Sequence, residues 1–238
     1  MQWIDRTYET PADNLACDEV LLGECEAGRE GELLRFWEPS TYFVVLGYSN
    51  FAAREANLAA CHTQGVPVLR RGTGGGTVLQ GPGCLCYSLF LRINTQETAN
   101  ITRTNTFVME RQQAALQALL STPVERQGDT DLALGGRKFS GNAQQRKQKF
   151  LLFHGTLLLS FDLQRIEELL VMPSREPQYR HHRSHTNFLT NLHLPAAQAK
   201  AALRRAWSTH SELREIDDTA VTQLARTKYQ SEAWNFKR

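Results

Sequence analysis

No apolar run of 18 or more residues occurs in the chain, and its start, Met1-Gln2-Trp3-Ile4-Asp5-Arg6, lacks the basic-then-apolar order of a secretion signal. The expected location is therefore the cytoplasm, with no membrane partner. Cysteine is scarce. Cys17, Cys25, Cys61, Cys84 and Cys86 include no Cys-x-x-Cys pair, which excludes a zinc ribbon and gives no disulfide framework, and no thiol lies beyond Cys86. Charge of one sign is also missing: 27 basic and 25 acidic residues leave +2, with no concentrated basic tract to mark a nucleic-acid partner. Internal repeats, low-complexity tracts and a clear linker are absent too.

The 238 residues, 41% of them hydrophobic, can bury a sizeable core. Strand and helix patterns alternate along them. Asp13 can cap a helix over Asn14–Glu26, and Phe107–Leu120, Ala196–Trp207 and Asp217–Lys228 read as further helices. Leu33–Trp37, Tyr42–Leu46, Val66–Leu69, Cys84–Ile93 and Phe150–Leu159 read as strands. Cys84 and Cys86 fall on one face of such a strand and read as packed core thiols. The expected fold is one α+β domain over residues 1–238, its last forty or so residues forming an appended helical layer.

Two segments carry chemistry. Arg70-Arg71-Gly72-Thr73-Gly74-Gly75-Gly76-Thr77-Val78 runs two cations into a loop whose glycines let consecutive N–H groups turn toward an anion. It lacks the Gly-Lys-Ser/Thr of a P-loop and the third glycine of a dinucleotide fingerprint, so it reads as an anion cradle of another kind, or as a tight hairpin turn with solvated arginines. The second segment, Asp129 to Gln144, turns through Gly135-Gly136, presents Arg137 and Lys138, and bends again at Gly141. Alone it is a hairpin with exposed cations; beside the first loop it adds a cation and a carboxylate suited to a nucleotide phosphate joined to an acid.

Asn14-Leu15-Ala16-x-Asp18-Glu19, Arg70-Arg71-x-x-Gly74-Gly75-Gly76-Thr77-Val78, Asp131-Leu132, Gly136-Arg137-Lys138-Phe139-Ser140-Gly141-Asn142-Ala143-Gln144, His154-Gly155-Thr156-Leu157-Leu158-Leu159 and Lys228-Tyr229-x-Ser231-x-x-Trp234-Asn235, in this order, resemble the lipoate–protein ligase A family. The resemblance implies the α/β fold of the biotin/lipoate ligase catalytic domain, with mixed sheets flanked by helices, shared with class II aminoacyl-tRNA synthetases. It also implies a two-step reaction. Lipoate or octanoate is first activated by ATP as an acyl adenylate, and the acyl group then passes to a lysine of a lipoyl-carrier domain of a 2-oxoacid dehydrogenase or of the glycine cleavage H protein.

By the same resemblance Lys138 is the essential lysine, reaching both α-phosphate and acyl carbonyl. Arg71, Thr73, Gly74, Gly75, Gly76, Thr77, Val78, Ser140, Gly141 and Ala143 would bind the nucleotide or acyl adenylate. Asp131 would stand near Lys138 or near a Mg2+ ion, and Val45, Gly47, Gly75, His154 and Gly155 would line the acyl tunnel. Burial at ~0.8 kcal/mol per methylene supplies several kcal/mol of affinity there. An octanoyl or lipoyl transferase drawing on an acylated carrier protein is the second reading, and a non-catalytic lipoyl-binding partner the third.

Three departures matter. Gln80-Gly81 stands where many ligases have His-Asp, no C-terminal accessory domain is expected after Arg238, and no cysteine follows Cys86. A separate subunit could supply the accessory domain, and the expected state is monomeric. His181-His182-Arg183-Ser184-His185 lacks the carboxylate of a His-Glu-x-x-His site, so it reads as a basic surface loop or lid rather than a metal site.

Overall fold

Helix α1 (Pro11–Glu26) begins where Thr10, not Asp13, takes the cap position: its hydroxyl oxygen accepts the Asp13 N–H at 3.1 Å, and Pro11 follows it at the first helical position. The Asp13 carboxylate accepts the Thr10 hydroxyl at 2.6 Å, so the two reinforce one another. The structure, a computed structural model, describes Met1 to Arg238 throughout.

Eleven strands follow in chain order: β1 (Gln2–Asp5), β2 (Leu33–Trp37), β3 (Phe43–Leu46), β4 (Val68–Arg70), β5 (Val78–Gln80), β6 (Cys84–Arg92), β7 (Val124–Gln127), β8 (Asp131–Leu134), β9 (Arg137–Arg146), β10 (Phe150–Leu158) and β11 (Ser211–Glu212). The other helices are α2 (Ala52–Glu55), α3 (Leu58–Thr63), α4 (Ile101–Gln117), α5 (Gln164–Leu169), α6 (His185–Phe188), α7 (Ala196–Ala206), α8 (Asp218–Leu224) and α9 (Glu232–Asn235). The large sheet is mixed and has eight strands, ordered β11-β1-β2-β6-β10-β9-β8-β7; a small sheet runs β4-β3-β5. This is the mixed α+β architecture that the sequence resemblance implies.

Alternation along the strands divides the core. Leu85, Tyr87, Leu89 and Leu91 of β6 pack against Val108, Met109 and Leu116 of α4 and Leu203 of α7. Cys86 and Phe90 point the other way, with Phe150 and Leu152 of β10, toward Leu15, Leu21 and Leu22 of α1 and Val221 of α8. Val45 of β3 joins that second cluster, whereas Val44 and Leu46 join a third with Cys61 and Leu169. The small sheet is thus buried on both faces, and its central strand is apolar throughout rather than alternating.

Several boundaries differ from the sequence expectation. α4 starts at Ile101, six residues before Phe107, because the Asn100 side chain accepts the Arg103 N–H at 2.9 Å. The strand expected at Val66 begins at Val68 and runs on through Arg70. The final segment is more than a helical layer: β11 extends the large sheet beside β1, and Ala225–Tyr229 forms a π-helical turn. The β8–β9 hairpin is as read, with Gly135 and Gly136 at φ 53° and 70°, the left-handed pair that a two-residue turn requires.

Candidate active site

β4 ends at Arg70, and the two arginines then turn inward. Arg70 is fully buried and donates to the carbonyls of Gly47 (2.9 Å), Asn50 (2.8 Å) and Asn235 (2.8 Å), while Trp234 Nε1 donates to the Arg70 carbonyl at 2.8 Å. The Trp234-Asn235 segment is thereby fastened beneath the glycine loop. Arg71, also buried, donates through Nε to Thr73 Oγ1 at 2.8 Å and through its terminal nitrogens to the carbonyls of Val45, Gly74 and Gly76. Burial lowers its pKa to about 10, so it remains a cation at neutral pH. Its donors are spent on shaping the loop rather than on facing outward. With those carbonyls drawn in, the N–H groups from Gly72 to Thr77 have no acceptor within the chain. Six successive donors free for an anion are what a cradle needs.

The close approach of two backbones sets the loop's position. A Cβ on Gly47 would lie 2.1 Å from the Gly75 carbonyl oxygen, and Gly75 itself sits at φ 89°. Across from the loop runs β9. A Cβ on Gly75 would meet that of Ala143 at 3.7 Å, and one on Gly72 would meet Gln145 Oε1 at 3.1 Å.

Further along the same strand Lys138 lays its ammonium over Gly141, where a Cβ would come within 2.7 Å of Nζ. Asp131 on β8 holds that ammonium at 2.9 Å, and Tyr179 donates to the other Asp131 oxygen at 2.8 Å. Burial and then the Asp131 charge raise the Tyr179 phenol, which stays a neutral donor. Ser140 is buried, with its Oγ 3.4 Å from Asn142 Nδ2, and Asn142 also donates to the Thr130 carbonyl at 2.6 Å. Both side chains brace the strand. Thr77 reaches Asn50 at 3.3 Å, while Val78 packs at the edge of the second core cluster.

His154 on β10 lies opposite Ala143 in register. Its Nε2 is 2.8 Å from Thr73 Oγ1 and its Nδ1 is 3.4 Å from Asp18 Oδ2. Asp18 is buried, contacts Arg35 at 2.6 Å and accepts from Ser88 at 2.7 Å. Burial alone would raise the Asp18 carboxyl; the Arg35 guanidinium, with hydrogen bonds from His154 and Ser88, outweighs it and holds the group below its ordinary value. A crevice with His154, Thr73, Gly72 and Gln145 in its wall also takes in Leu15, Leu152, Glu19 and Tyr229. Of the residues expected to line the acyl tunnel only His154 faces this crevice. Val45 is buried in the second core cluster, Gly47 and Gly75 abut one another, and the Cβ position of Gly155 is filled by Asn142.

Sequence reasoning gave no role to Asp18, Glu19, Arg35, Gln145, Tyr179, Lys228 or Tyr229. Glu19 binds Lys228 at 2.6 Å and Tyr229 at 2.6 Å, joining α1 to the π-helical turn. Asp18, Glu19, Lys228 and Tyr229 were visible only inside motifs; Tyr179 arrives from the short turn Gln178–Arg180, whose placement no local pattern reports.

Cys84 and Cys86 are buried on the same strand, and burial pushes the Cys84 thiol up to about 12 and the Cys86 thiol well above its ordinary value. Neither is a thiolate at neutral pH. The His181–His185 segment does not converge on a metal: His182 pairs with Glu176 at 2.6 Å, whereas His185 is buried with Nε2 3.1 Å from the Val171 carbonyl. The segment instead packs over the hairpin, Arg183 donating to the Gly136 carbonyl at 3.0 Å and the Thr190 N–H to that of Lys138 at 2.9 Å. Gln80 donates through Nε2 to Thr156 Oγ1 at 3.4 Å, and Gly81 leaves room for the Tyr42 ring, 2.3 Å from where a Cβ would sit.

Because the folded-state pKa of Asp18 is depressed, its contribution to stability is complete above the unfolded value of ~3.9 and is lost as pH falls through the lower folded one. Denaturant titrations should therefore show the wild type losing stability between pH 5 and pH 3 more steeply than Asp18→Asn. An equal slope in both would contradict this.

The catalytic-domain model of lipoyl protein ligases A and B matches residues 10–204. The chain is 28% identical to the "probable lipoate-protein ligase A" of Mycoplasma pneumoniae, covering 95% of this chain and 68% of that one. It is also 28% identical to the octanoyltransferase LipM of Bacillus subtilis, covering 100% and 98%. Among solved structures, the bipartite lipoate protein ligase of Thermoplasma acidophilum, described with its E2 lipoyl domain, superimposes with a TM-score of 0.83 at 21% identity over 99% of this chain and 95% of that one. A lipoate-protein ligase A bound with ATP gives 0.82 at 23% identity over 99% and 98%. No helix of the chain is long and apolar enough to cross a membrane. A glycine cradle of free amides, a lysine presented beside it and a match to the family model over most of the sequence lead to one conclusion: the chain belongs to the lipoyl protein ligase A/B catalytic domain family.

Proposed function

We propose that this protein is an ATP-dependent lipoate–protein ligase, forming lipoyl or octanoyl adenylate and transferring the acyl group to a lysine of a lipoyl-carrier domain. The observation that carries the reading is the Lys138 ammonium, held by Asp131 at 2.9 Å above Gly141 on the strand that faces the free amides of the glycine loop. In the first step the carboxylate oxygen attacks the α-phosphorus and pyrophosphate leaves. Negative charge grows on the phosphoryl oxygens, which the loop amides and Lys138 are suited to hold without reorganising. Arg71 acts one layer back, keeping the loop carbonyls turned away from the phosphates.

Mg2+ would arrive with ATP and neutralise phosphate charge. The chain gathers no group of three metal-ligating side chains, so the nucleotide's own oxygens would hold most of the ion, and Asp131 would be the protein carboxylate to support it. We take residues 1–238 as one catalytic domain; the bipartite relative of known structure makes a separate accessory subunit a reasonable partner.

The likeness to LipM over nearly its whole length supports a second reading, acyl transfer from an acylated carrier protein. The state of the thiols weighs against a covalent form of it, since all five are buried. Replacing both Cys84 and Cys86 by Ala should leave acylation within about threefold of wild type, at a stability cost of about 1–2 kcal/mol for the lost core atoms. Supplying an unmodified lipoyl domain with either ATP and the free acid or an octanoylated carrier protein, and weighing the product, separates the two donors. Acylation only from the carrier would overturn the ligase reading.

A further inference from the structure

We propose that Thr73, His154 and Asp18 form the proton relay of the transfer step, with His154 the proton acceptor; this rests on the ligase reading above. The order of hydrogen bonds carries it. Asp18 Oδ2, a carboxylate oxygen that can only accept, faces one ring nitrogen of His154 and calls for the ring proton there, while Thr73 Oγ1, which accepts from Arg71 Nε at 2.8 Å, keeps its own hydrogen for His154 Nε2, also 2.8 Å away. Nε2 is then the acceptor, and the ring proton belongs on Nδ1, which faces Asp18 Oδ2 at 3.4 Å. Behind Asp18, Arg35 and Ser88 fix both carboxylate oxygens. Carboxylate, imidazole and hydroxyl thus stand in the sequence that lets a hydroxyl pass a proton to a ring whose resulting charge is met by a buried anion.

Elimination points to the same group. The Lys138 ammonium has no lone pair, and Asp131 is occupied by Lys138 and Tyr179. Glu19, across the crevice, is held by Lys228 and Tyr229. The charged and titratable groups around His154 are Asp18 and Glu19 from α1, Arg35 from β2, Arg71 from the loop, and Lys228 and Tyr229 from the π-helical turn. Among the groups on the crevice wall only the histidine, through Thr73, offers an acceptor with an ionised partner behind it.

In the step itself the acceptor lysine enters as the free amine, having lost its first proton to solvent. Its nitrogen forms a bond to the acyl carbon, and the carbon–oxygen bond to the phosphate breaks, the electron pair leaving with AMP. The nitrogen's surplus proton passes to Thr73 Oγ1 as the Thr73 hydroxyl proton moves to His154 Nε2. Asp18 is a positioning residue, acting through the ring.

The test uses the full chain, synthetic octanoyl adenylate and a lipoyl domain, timing the transfer separately from ATP–pyrophosphate exchange. His154→Gln and Thr73→Val are expected to slow transfer by ~100-fold or more, at least about tenfold beyond whatever loss they cause in exchange, and imidazole added to His154→Ala should restore part of the transfer rate. Asp18→Asn removes the partner of a buried Arg35 and is read only alongside these variants, with its fold checked by circular dichroism. Equal loss in both half-reactions, or a His154→Ala deficit that imidazole leaves untouched, would overturn the relay. A native protein that transfers from the synthetic adenylate yet makes none from ATP would sink the ligase reading alone, and the His154 comparison would still decide the relay.

Discussion

Lys138→Ala is expected to lose lipoylation of an acceptor domain by about a thousandfold, with the fold intact. The side chain is a quarter exposed, so its removal leaves no cavity in the core. What disappears is the ammonium that Asp131 holds above Gly141, and with it the charge proposed to meet the developing negative oxygens. Asp131 would then be left with only Tyr179. Circular dichroism and thermal unfolding should match wild type while a gel-shift or mass assay of the acceptor shows the loss. A Lys138→Ala protein that lipoylates within tenfold of wild type would show that the ammonium is not part of the chemistry.

The second large effect falls on a residue with no functional group. Gly47→Ala places a methyl 2.1 Å from the Gly75 carbonyl oxygen and 2.5 Å from Asn50 Oδ1. Neither neighbour yields easily: the first is backbone of the cradle, and the second accepts the Gly47 N–H at 2.7 Å. The strain should cost about 1–3 kcal/mol of stability. Relief comes by moving the Gly74–Gly76 amides outward, and a displacement of about 1 Å is enough to lower activity by ~100-fold. Urea midpoints and ATP affinity measured on the same preparation check both parts. Unchanged affinity would mean that the loop amides do not hold the nucleotide.

How much of this was legible in the sequence depended on whether a signal was local. The β8–β9 hairpin could be read because Gly135-Gly136 demands a particular turn, and that turn presents Lys138. The cradle could be read because glycines in succession free the amides. Arg71 could not be placed on the correct side of the loop, since a guanidinium that organises carbonyls and one that grips phosphate leave the same mark in a sequence. Asp18, in the first helix and 17 or more residues in sequence from Arg35, Ser88 and His154, takes its meaning from three strands that only the folded sheet brings around it. Strand β11 was missed because its two residues are exposed and polar, and the sheet edge beside β1 alone makes them extended.

The apolar wall of the crevice was the least legible part. Val45 pairs in β3 and turns its side chain to the core, while the crevice wall comes from Leu15, Leu152 and Tyr229 on three separate elements. Such a wall has no motif, because apolar residues at these positions would serve a plain core equally well.

ATP–pyrophosphate exchange, measured on the intact chain with and without lipoate or octanoate, tests the central claim most directly. Exchange that depends on the acid and needs no acceptor protein is the result expected of an enzyme that makes an acyl adenylate in this cradle. Absence of acid-dependent exchange, in a protein that binds the acid and acylates a lipoyl domain from an octanoylated carrier, would contradict it.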